Sequence, residues 1–206
     1  MTKAAAPKPR TKKTTSKTSP KGEVSLNLIL DTAEQLMLAE GYAAVSSRRV
    51  AKEAGLKPPL VHYYFPTTDD LYLAVFRRAA AREVAKVDDA FSSANAIEAL
   101  WATYCNQPHT ALAIEFMAMA NHRKAIRDEI ATLTEKERRR RAEALAQLVD
   151  EQKLGEMGRD GLGLNVLLIG VARTLVLESG LGITLGHAEA QQLIKQLLTQ
   201  LACSDS

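Results

Sequence analysis

The chain has few of the residues and patterns that mark several classes of protein. Its 206 residues include only two cysteines, Cys105 and Cys203, which lie far apart and form no CxxC pair. The sequence therefore supports neither a disulfide framework nor a cysteine zinc site. No apolar run reaches the roughly 18 to 20 residues that a membrane-spanning helix needs, and no signal-peptide pattern occurs. These absences predict a cytoplasmic protein without a membrane segment.

Motifs for catalysis are also missing. The four histidines form no HExxH motif, the acidic residues show no metal-ligand spacing, and no phosphate-binding glycine loop occurs. We therefore predict no catalytic residue, no metal and no cofactor, and we regard an enzyme as the least favoured class. With 46% hydrophobic and 25% charged residues, the composition is that of an ordinary soluble protein with a sizeable core.

Positive charge is concentrated at the N-terminus. Residues 1–22 contain seven lysines and arginines and no acid, so this segment carries +7, while the rest of the chain carries −4. The segment has three prolines and almost nothing apolar to bury, so we expect a disordered basic tail. The tail would either lie along DNA phosphates or serve only as a solubilising extension.

The rest of the chain is predicted to be helical. Apolar residues recur at intervals of three and four, and no alternating strand pattern or Asn-Gly hairpin signal occurs. The predicted fold class is therefore all-α. Gly, Pro and Ser breaks divide the second half into helical segments near residues 69–91, 95–105, 109–121, 124–153, 162–180 and 187–202.

The most informative stretch covers residues 29–75. A helix from Leu26 ends at Gly41, and Ser46 is a good N-cap for a short second helix that ends at Gly55. A third helix begins with Pro58 and Pro59, where a missing amide costs nothing, and stops before Pro66. Thr67 or Thr68 then caps a fourth helix. Two short helices separated by a glycine turn are the sequence form of a DNA-reading helix-turn-helix.

The third helix would enter the major groove of DNA. If Val61, Tyr64 and Phe65 face the core, few hydrogen-bonding groups remain outside, so apolar contacts with thymine methyls are expected. Arg48 on the preceding helix is the best candidate for a bidentate contact with guanine. The outward residues of the third helix and the turn before it are Lys57, Pro58, Pro59, Leu60, His62 and Tyr63.

Residues 26–76 resemble the N-terminal domain of the tetracycline-repressor (TetR) family. The elements that carry the resemblance occur in the family's order: Gly41-Tyr42, Ser46, Arg48, Val50-Ala51, Ala54-Gly55, Tyr64-Phe65 and the helix of Leu71. The resemblance implies phosphate contacts by Ser46, Ser47 and Tyr64, and base contacts by Arg48, Pro58, Pro59, Leu60 and Tyr63. Three positions differ from the family pattern. Many members have Thr or Ser where this chain has Leu60, Tyr where it has His62, and a phosphate-binding Lys where it has Thr68. We keep Thr68 as a candidate DNA contact.

The resemblance also implies the function and the domain organisation. Family members are homodimeric, ligand-responsive regulators, mostly repressors, and two reading helices about one DNA turn apart would bind a palindromic operator. We expect a tail at residues 1–22, a helix-turn-helix domain at 23–83 with its motif at about 46–65, and a ligand-binding and dimerisation domain at 84–206. The alternative is an architectural or non-specific DNA-binding protein without an effector. Residues 23–83 contain seven bases and eight acids, so we expect the basic tail to provide part of the phosphate attraction.

The second half has no transferable motif for its ligand. Apolar and sulfur-containing side chains alternate there with polar ones, a mixture that suits an apolar pocket with a few orienting groups. We therefore expect a largely apolar effector, although each of these side chains could equally belong to the core. The candidate contacts are Trp101, Tyr104, Phe116, Met117, Met119, His122 and Arg173.

Two further segments bear on assembly and charge. The helix at 162–180 is apolar on nearly every side, and with the helix at 187–202 it suits a two-fold, four-helix dimer interface. Its charged residues Arg173 and Glu178 could pair across the dimer, line the pocket or reach solvent. The arginine run at 138–141 is interpreted as a solvated face, because Glu135 and Glu137 precede Arg139 and Arg141 by four residues.

Overall fold

A computed structural model describes residues 20–149 and 161–201 of the chain, and helices dominate both stretches. The first half contains α1 (Pro20–Glu40), a 3₁₀ turn (Tyr42–Ala44), α2 (Ser47–Glu53), α3 (Pro58–Tyr64) and α4 (Thr68–Phe91). The second half contains α5 (Ala96–Tyr104), α6 (Gln107–His122), α7 (Lys124–Ala146), α8 (Leu162–Gly180) and α9 (His187–Leu201). The predicted all-α fold class is confirmed.

The helix starts follow local capping chemistry. The Ser46 hydroxyl accepts a hydrogen bond from the Arg49 amide at 3.2 Å and so caps α2, as the sequence predicts. Of the two threonines before α4, Thr67 is the cap: its hydroxyl accepts from the Asp70 amide, while the Asp70 carboxylate accepts from the Thr67 amide. Pro58 and Pro59 occupy the first turn of α3, where their missing amides leave no bond unmade.

Two predicted boundaries differ from the structure. Helix α1 begins at Pro20 rather than near Leu26, so residues 20–22, which were expected in the tail, form its first turn. The Tyr64 hydroxyl donates to the Gly22 carbonyl at 3.0 Å, a tertiary contact that local composition does not reveal. Helix α7 ends at Ala146, earlier than the predicted 153. Residues 1–19 of the tail, residues 150–160, and Cys203 lie outside the described residues.

The buried side chains form two clusters that meet along α4. The first cluster joins α1 to α4 with α6 and the start of α7, so the helix-turn-helix packs directly on the second half of the chain. The second cluster joins the end of α4 with α5, the end of α7, α8 and α9. Helix α4 contributes Val75 to the first cluster and Val87 to the second. It is therefore the structural link between the helix-turn-helix, called the head below, and the helical body formed by α5 to α9.

Helix α8 is long and apolar enough to cross a membrane, by length and composition, and is the one such helix among the described residues. In this fold, one side of it packs into the second cluster through Leu164, Leu168 and Leu175. Asn165 is fully buried on that side, and its side-chain amide donates to the Tyr104 hydroxyl at 3.3 Å. The near-uniform apolarity of α8 thus reflects one face that packs in the body and a second face that is exposed.

Candidate DNA-binding surface and effector cavity

The turn between α2 and α3 is fixed by backbone geometry. Gly55 has φ +65°, the left-handed conformation that glycine adopts without steric cost. The Leu56 amide then donates to the Ala51 carbonyl at 2.8 Å, which reverses the chain after α2. Val50, Ala51 and Val61 are fully buried beneath the two helices. The inner side of α3 therefore packs on this core, and its outer side faces solvent.

Most of the predicted reading residues lie on that outer side. Tyr63 is 76% exposed and its ring packs edge-on against Tyr64. Leu60, Tyr64 and Thr68 are half-buried. The exposed members of the predicted set are Ser46, Arg48, Lys57, Pro58, Pro59, His62 and Tyr63.

The two adjacent arginines of α2 have different roles. Arg49 binds Glu40 at 2.8 Å and Glu53 at 3.0 Å, so its guanidinium ties α2 to the end of α1. Arg48 is exposed and forms no ion pair with any residue that the structure describes. An exposed guanidinium without an internal carboxylate is available to a base edge or a phosphate. The prediction that singled out Arg48 rather than Arg49 thus fits the geometry.

Two of the predicted phosphate contacts, Ser47 and Tyr64, are buried or already hydrogen-bonded within the protein. The side chain of Ser47 is buried, with 6% of the residue exposed, because it begins α2 on the side that faces the core. The hydroxyl proton of Tyr64 is already donated to Gly22. A phosphate would have to compete with that bond, so these two residues are weaker candidates for direct side-chain contacts than the exposed set.

Polar contacts join the head to the body. The Tyr42 amide donates to Glu115 Oε2 of α6 at 2.8 Å. Arg123, between α6 and α7, binds Asp69 at 2.5 Å and lies 5.0 Å from the centre of the Tyr72 ring. The Tyr72 hydroxyl in turn reaches the Tyr42 carbonyl at 2.7 Å. Movement of α6 would therefore be transmitted to the loop that precedes α2.

A cavity of about 110 Å³ lies between α4, α6, α7 and α8. One side is apolar and includes Phe76, Leu112 and Phe116, whereas the other contains charged groups from three helices. The lining residues are Phe76, Ala79, Ala80, Glu83, His109, Leu112, Ala113, Phe116, Leu133, Thr134, Glu137, Arg138, Arg141, Ile169 and Arg173.

Glu83 is the buried acid of this cavity, with 5% of the residue exposed. Its Oε2 lies 2.8 Å from His109 Nε2, in ion-pair range although not aligned for a hydrogen bond, and its Oε1 lies 3.9 Å from an Arg141 nitrogen. Burial, together with the positive charges of Arg138 and Arg141, lowers the pKa of Arg173 below its ordinary value. The direction reflects first the removal of the guanidinium from water and second the two guanidinium groups beside it.

The structure brings together only some of the predicted effector residues. Phe116 and Arg173 line the cavity, and Tyr104 lines a smaller space of about 50 Å³ that shares Glu83, His109, Arg141 and Arg173 with it. Trp101 and Met119 pack in the two cores, while Met117 and His122 point toward solvent. These four do not line the cavity: Trp101 is on α5, which contributes no lining residue, and the other three lie elsewhere on α6.

Apart from Arg173, the charged lining was not predicted, and the arginine run is partly reinterpreted. Arg139 pairs with Glu135 at 3.7 Å, as expected, but Glu137 pairs with Arg140 rather than Arg141. Positions 134, 138 and 141 are four and three residues apart and share one side of α7, which faces the cavity. That spacing, together with a lone arginine in the apolar α8, is the sequence signal from which a charged cavity lining could have been predicted. Of the three alternatives for Arg173, the cavity lining is the observed one.

An apolar surface runs along the outside of α8 and α9. Leu167 is 63% exposed and Leu193 65% exposed. Glu178, the other charged residue left open by the sequence, binds His187 at 2.8 Å within the same chain. The exposed apolar members of this surface are Val166, Leu167, Leu177, Leu181, Ile183, Leu185, Leu193 and Leu197.

Comparison with known proteins agrees with this architecture. Residues 29–75 match the family model of bacterial regulatory proteins, tetR family. No curated protein matches the chain. A transcriptional regulator from Streptomyces coelicolor A3(2) is 25% identical, over 75% of this chain and 94% of that one, with a TM-score of 0.56.

Two solved structures align over more of the chain. A TetR transcription regulator from Haloarcula marismortui is 20% identical, over 88% of this chain and all of that one, with a TM-score of 0.63. A transcriptional regulator from Saccharomonospora viridis, in complex with choline, is 17% identical with the same coverage and a TM-score of 0.68. At these identities the likeness concerns the fold.

An N-terminal helix-turn-helix joined to a helical body defines a DNA-binding transcription regulator. Residues 29–75 therefore form a TetR-type DNA-binding head, and the chain as a whole has the fold of TetR-family regulators. Among the described residues, no group of histidine, cysteine or acidic side chains is arranged to hold a metal ion.

Proposed function

We propose that the protein is a ligand-responsive repressor that binds a palindromic operator as a homodimer. The observation that carries the DNA-binding part is the exposed surface of Arg48, Lys57, Pro58, Pro59, His62 and Tyr63 on a capped and packed helix-turn-helix. Arg48 is the proposed guanine contact, and the prolines with Leu60 are the proposed contacts to thymine methyls. Ser46 and Lys57 are the proposed phosphate contacts beside them.

The apolar surface of α8 and α9 is the proposed dimer interface. Side chains such as Leu167 and Leu193 are largely exposed in the single chain, and burial of an apolar surface of this kind drives association. A two-fold arrangement would present two reading helices roughly 34 to 36 Å apart, which matches successive major grooves. Half-sites of a palindrome would then be bound together.

The cavity between α4, α6, α7 and α8 is the proposed effector site. The fold relative from Saccharomonospora viridis forms a complex with choline, which supports small-molecule binding by proteins of this shape. Ala79 and Phe116 belong both to the cavity lining and to the core of the head. A ligand that displaces α4 or α6 would therefore change the position of the head.

The proposed response is a shift between two conformations. An effector that binds better when the two heads are wrongly spaced lowers the operator affinity by the ratio of its affinities for the two states. Helix α4 would transmit the change, because it contacts both cores, and the bond from Tyr42 to Glu115 provides a second connection.

The decisive experiment is selection of bound fragments from the source genome with the full-length protein, followed by footprinting. Protection of a short palindrome by a dimer supports the proposed regulator. Uniform coating without a preferred sequence would instead support the alternative, an architectural DNA-binding protein. Release of the palindrome on addition of a cavity ligand then tests the effector response separately.

A further inference from the structure

The effector cavity contains more cationic than anionic groups. Three arginines line it, Arg138 and Arg141 from α7 and Arg173 from α8, against the carboxylates of Glu83 and Glu137. The Arg141 side chain is 14% exposed, so much of this charge is removed from water. Grouping three guanidinium ions in a partly buried space is unfavourable unless anions balance them.

The two carboxylates are already engaged. Glu137 accepts from Arg140 Nε at 3.0 Å, and Glu83 lies between His109 at 2.8 Å and Arg141 at 3.9 Å. In the two described stretches of the chain, neither Arg138 nor Arg173 has a carboxylate within ion-pair distance. The Nε atom of Arg138 is also buried without a hydrogen-bond partner. Among the residues that the structure describes, these two guanidinium groups therefore face the cavity without a carboxylate counter-ion.

The remainder of the cavity is apolar and small. Its apolar lining includes Phe76 of α4, Phe116 of α6 and Ile169 of α8, beside the polar His109 and Thr134. The volume of about 110 Å³ is somewhat below the roughly 150 Å³ of an engineered cavity that binds benzene. The space thus suits a compact molecule of a few carbon atoms.

We propose that this cavity binds a small organic carboxylate, with its carboxylate between Arg138 and Arg173 and its hydrocarbon part against Phe76 and Phe116. The planar guanidinium fork matches the two oxygens of a carboxylate, and charge-assisted bonds of this kind are about twice as strong as neutral ones. A monoanion balances the excess charge without adding strong repulsion with Glu83. An amine of the same shape would be repelled. This identification rests on the proposed effector function and specifies the ligand class for it.

Isothermal titration of the full-length protein with three molecules of similar shape tests the proposal. The probes are isovalerate, the neutral isovaleramide and the cationic isoamylamine, in a phosphate-free buffer. We expect isovalerate to bind at least about tenfold more tightly than the amide, and the amine not to bind measurably. Equal or tighter binding of the amide or the amine would overturn the proposal.

Variants locate the binding site. Arg138→Gln and Arg173→Gln should each weaken isovalerate binding about tenfold or more, and Arg173→Lys should restore part of it. Arg139→Gln is the matched control, because that neighbouring side chain is 72% exposed and pairs with Glu135 outside the cavity. Unchanged binding in both glutamine variants would contradict the assignment. Melting curves check that each variant is folded. If a glutamine variant is unstable, Arg173→Lys still reports on the role of Arg173 in isovalerate binding.

The operator provides an independent measurement. If isovalerate binds through Arg138 and Arg173 and also releases operator DNA, the carboxylate site and the effector function are both supported. If it binds in the same way but leaves operator affinity unchanged, the carboxylate site stands and the ligand-responsive part of the proposed function fails. If operator binding is intact and no carboxylate binds, the carboxylate proposal fails while the DNA-binding function stands.

Discussion

The head carries its candidate binding groups on its outer surface, whereas the body carries its own around an internal cavity. In the head, Arg48, Lys57 and His62 point outward from a packed apolar base. In the body, Glu83, Arg141 and Arg173 point inward toward a small cavity. An outward polar face is what a large, rigid partner such as duplex DNA requires, whereas an inward one surrounds a small molecule.

The distribution of charge strengthens this contrast. Residues 23–83, which include the reading surface, carry seven bases and eight acids, yet an arginine-rich segment occurs in α7 of the body. Two arginines of that segment line the cavity, and the other two pair with acids at the surface. A cluster of arginines in sequence is therefore not a DNA-binding patch when the helix turns part of it inward.

The dimer interface gives the largest expected effect on DNA binding. The double change Leu167→Asp with Leu193→Asp places charges on the exposed apolar surface and should produce a folded monomer. Operator affinity should fall about 100-fold or more, because the second half-site no longer benefits from linkage. Sedimentation and fluorescence anisotropy measure the two effects. Met117→Asp, at an exposed position on α6, is the control and should stay dimeric. If the double variant also stays dimeric, the proposed interface is contradicted.

The reading surface should respond next most strongly. Arg48→Ala should reduce operator affinity by about 1 to 3 kcal/mol, roughly 5-fold to 150-fold, and relax the preference at one base pair of each half-site. The measurement is binding to a panel of operators with single substitutions. In the control Arg49→Ala the head loses contacts to Glu40 and Glu53 but should keep the same sequence preference. An unchanged preference in Arg48→Ala would remove this residue from the proposed readout.

The basic tail should have a smaller effect, which depends on salt. Removal of residues 2–19, leaving α1 intact, should make the plot of log affinity against log salt shallower by about 0.9 for each lost phosphate contact. The matched control retains the length of the tail but replaces its lysines and arginine with glutamine. If the slope is the same with and without the tail, the tail is a solubilising extension and the head alone provides the phosphate contacts.

The contact between head and body should have the smallest effect. Glu115→Gln exchanges a charged acceptor of the Tyr42 amide for a neutral one and should lower the free energy of unfolding by about 1 kcal/mol. Urea denaturation measures the change, and the Tyr42 amide should exchange faster with solvent. Glu98→Gln, at an exposed position on α5, provides the comparison. Equal stability of the two variants would mean that this bond does not fasten the head to the body.

The accuracy of sequence-based prediction differed between the two regions for a physical reason. Caps, prolines and the glycine turn are local signals, so Ser46, Gly55 and Pro58 marked the head almost to the residue. The boundaries of α8 and α9 followed equally well from glycine breaks and apolar periodicity. The cavity depends on which sides of α4, α6, α7 and α8 meet, and sequence pattern does not separate a core side chain such as Met119 from a side chain that lines a pocket.

The sequence by itself determined the helical class and the boundaries of helices α2 and α3 of the reading head, since each depends on residues close together in the chain. Tertiary structure alone decided that Arg49 is tied to Glu40, that Tyr64 is bonded to Gly22, and that Arg138 and Arg173 share one cavity. Periodicity places a residue on one side of its own helix. Only the packing of helices distant in sequence decides whether that side faces solvent, a core or a ligand.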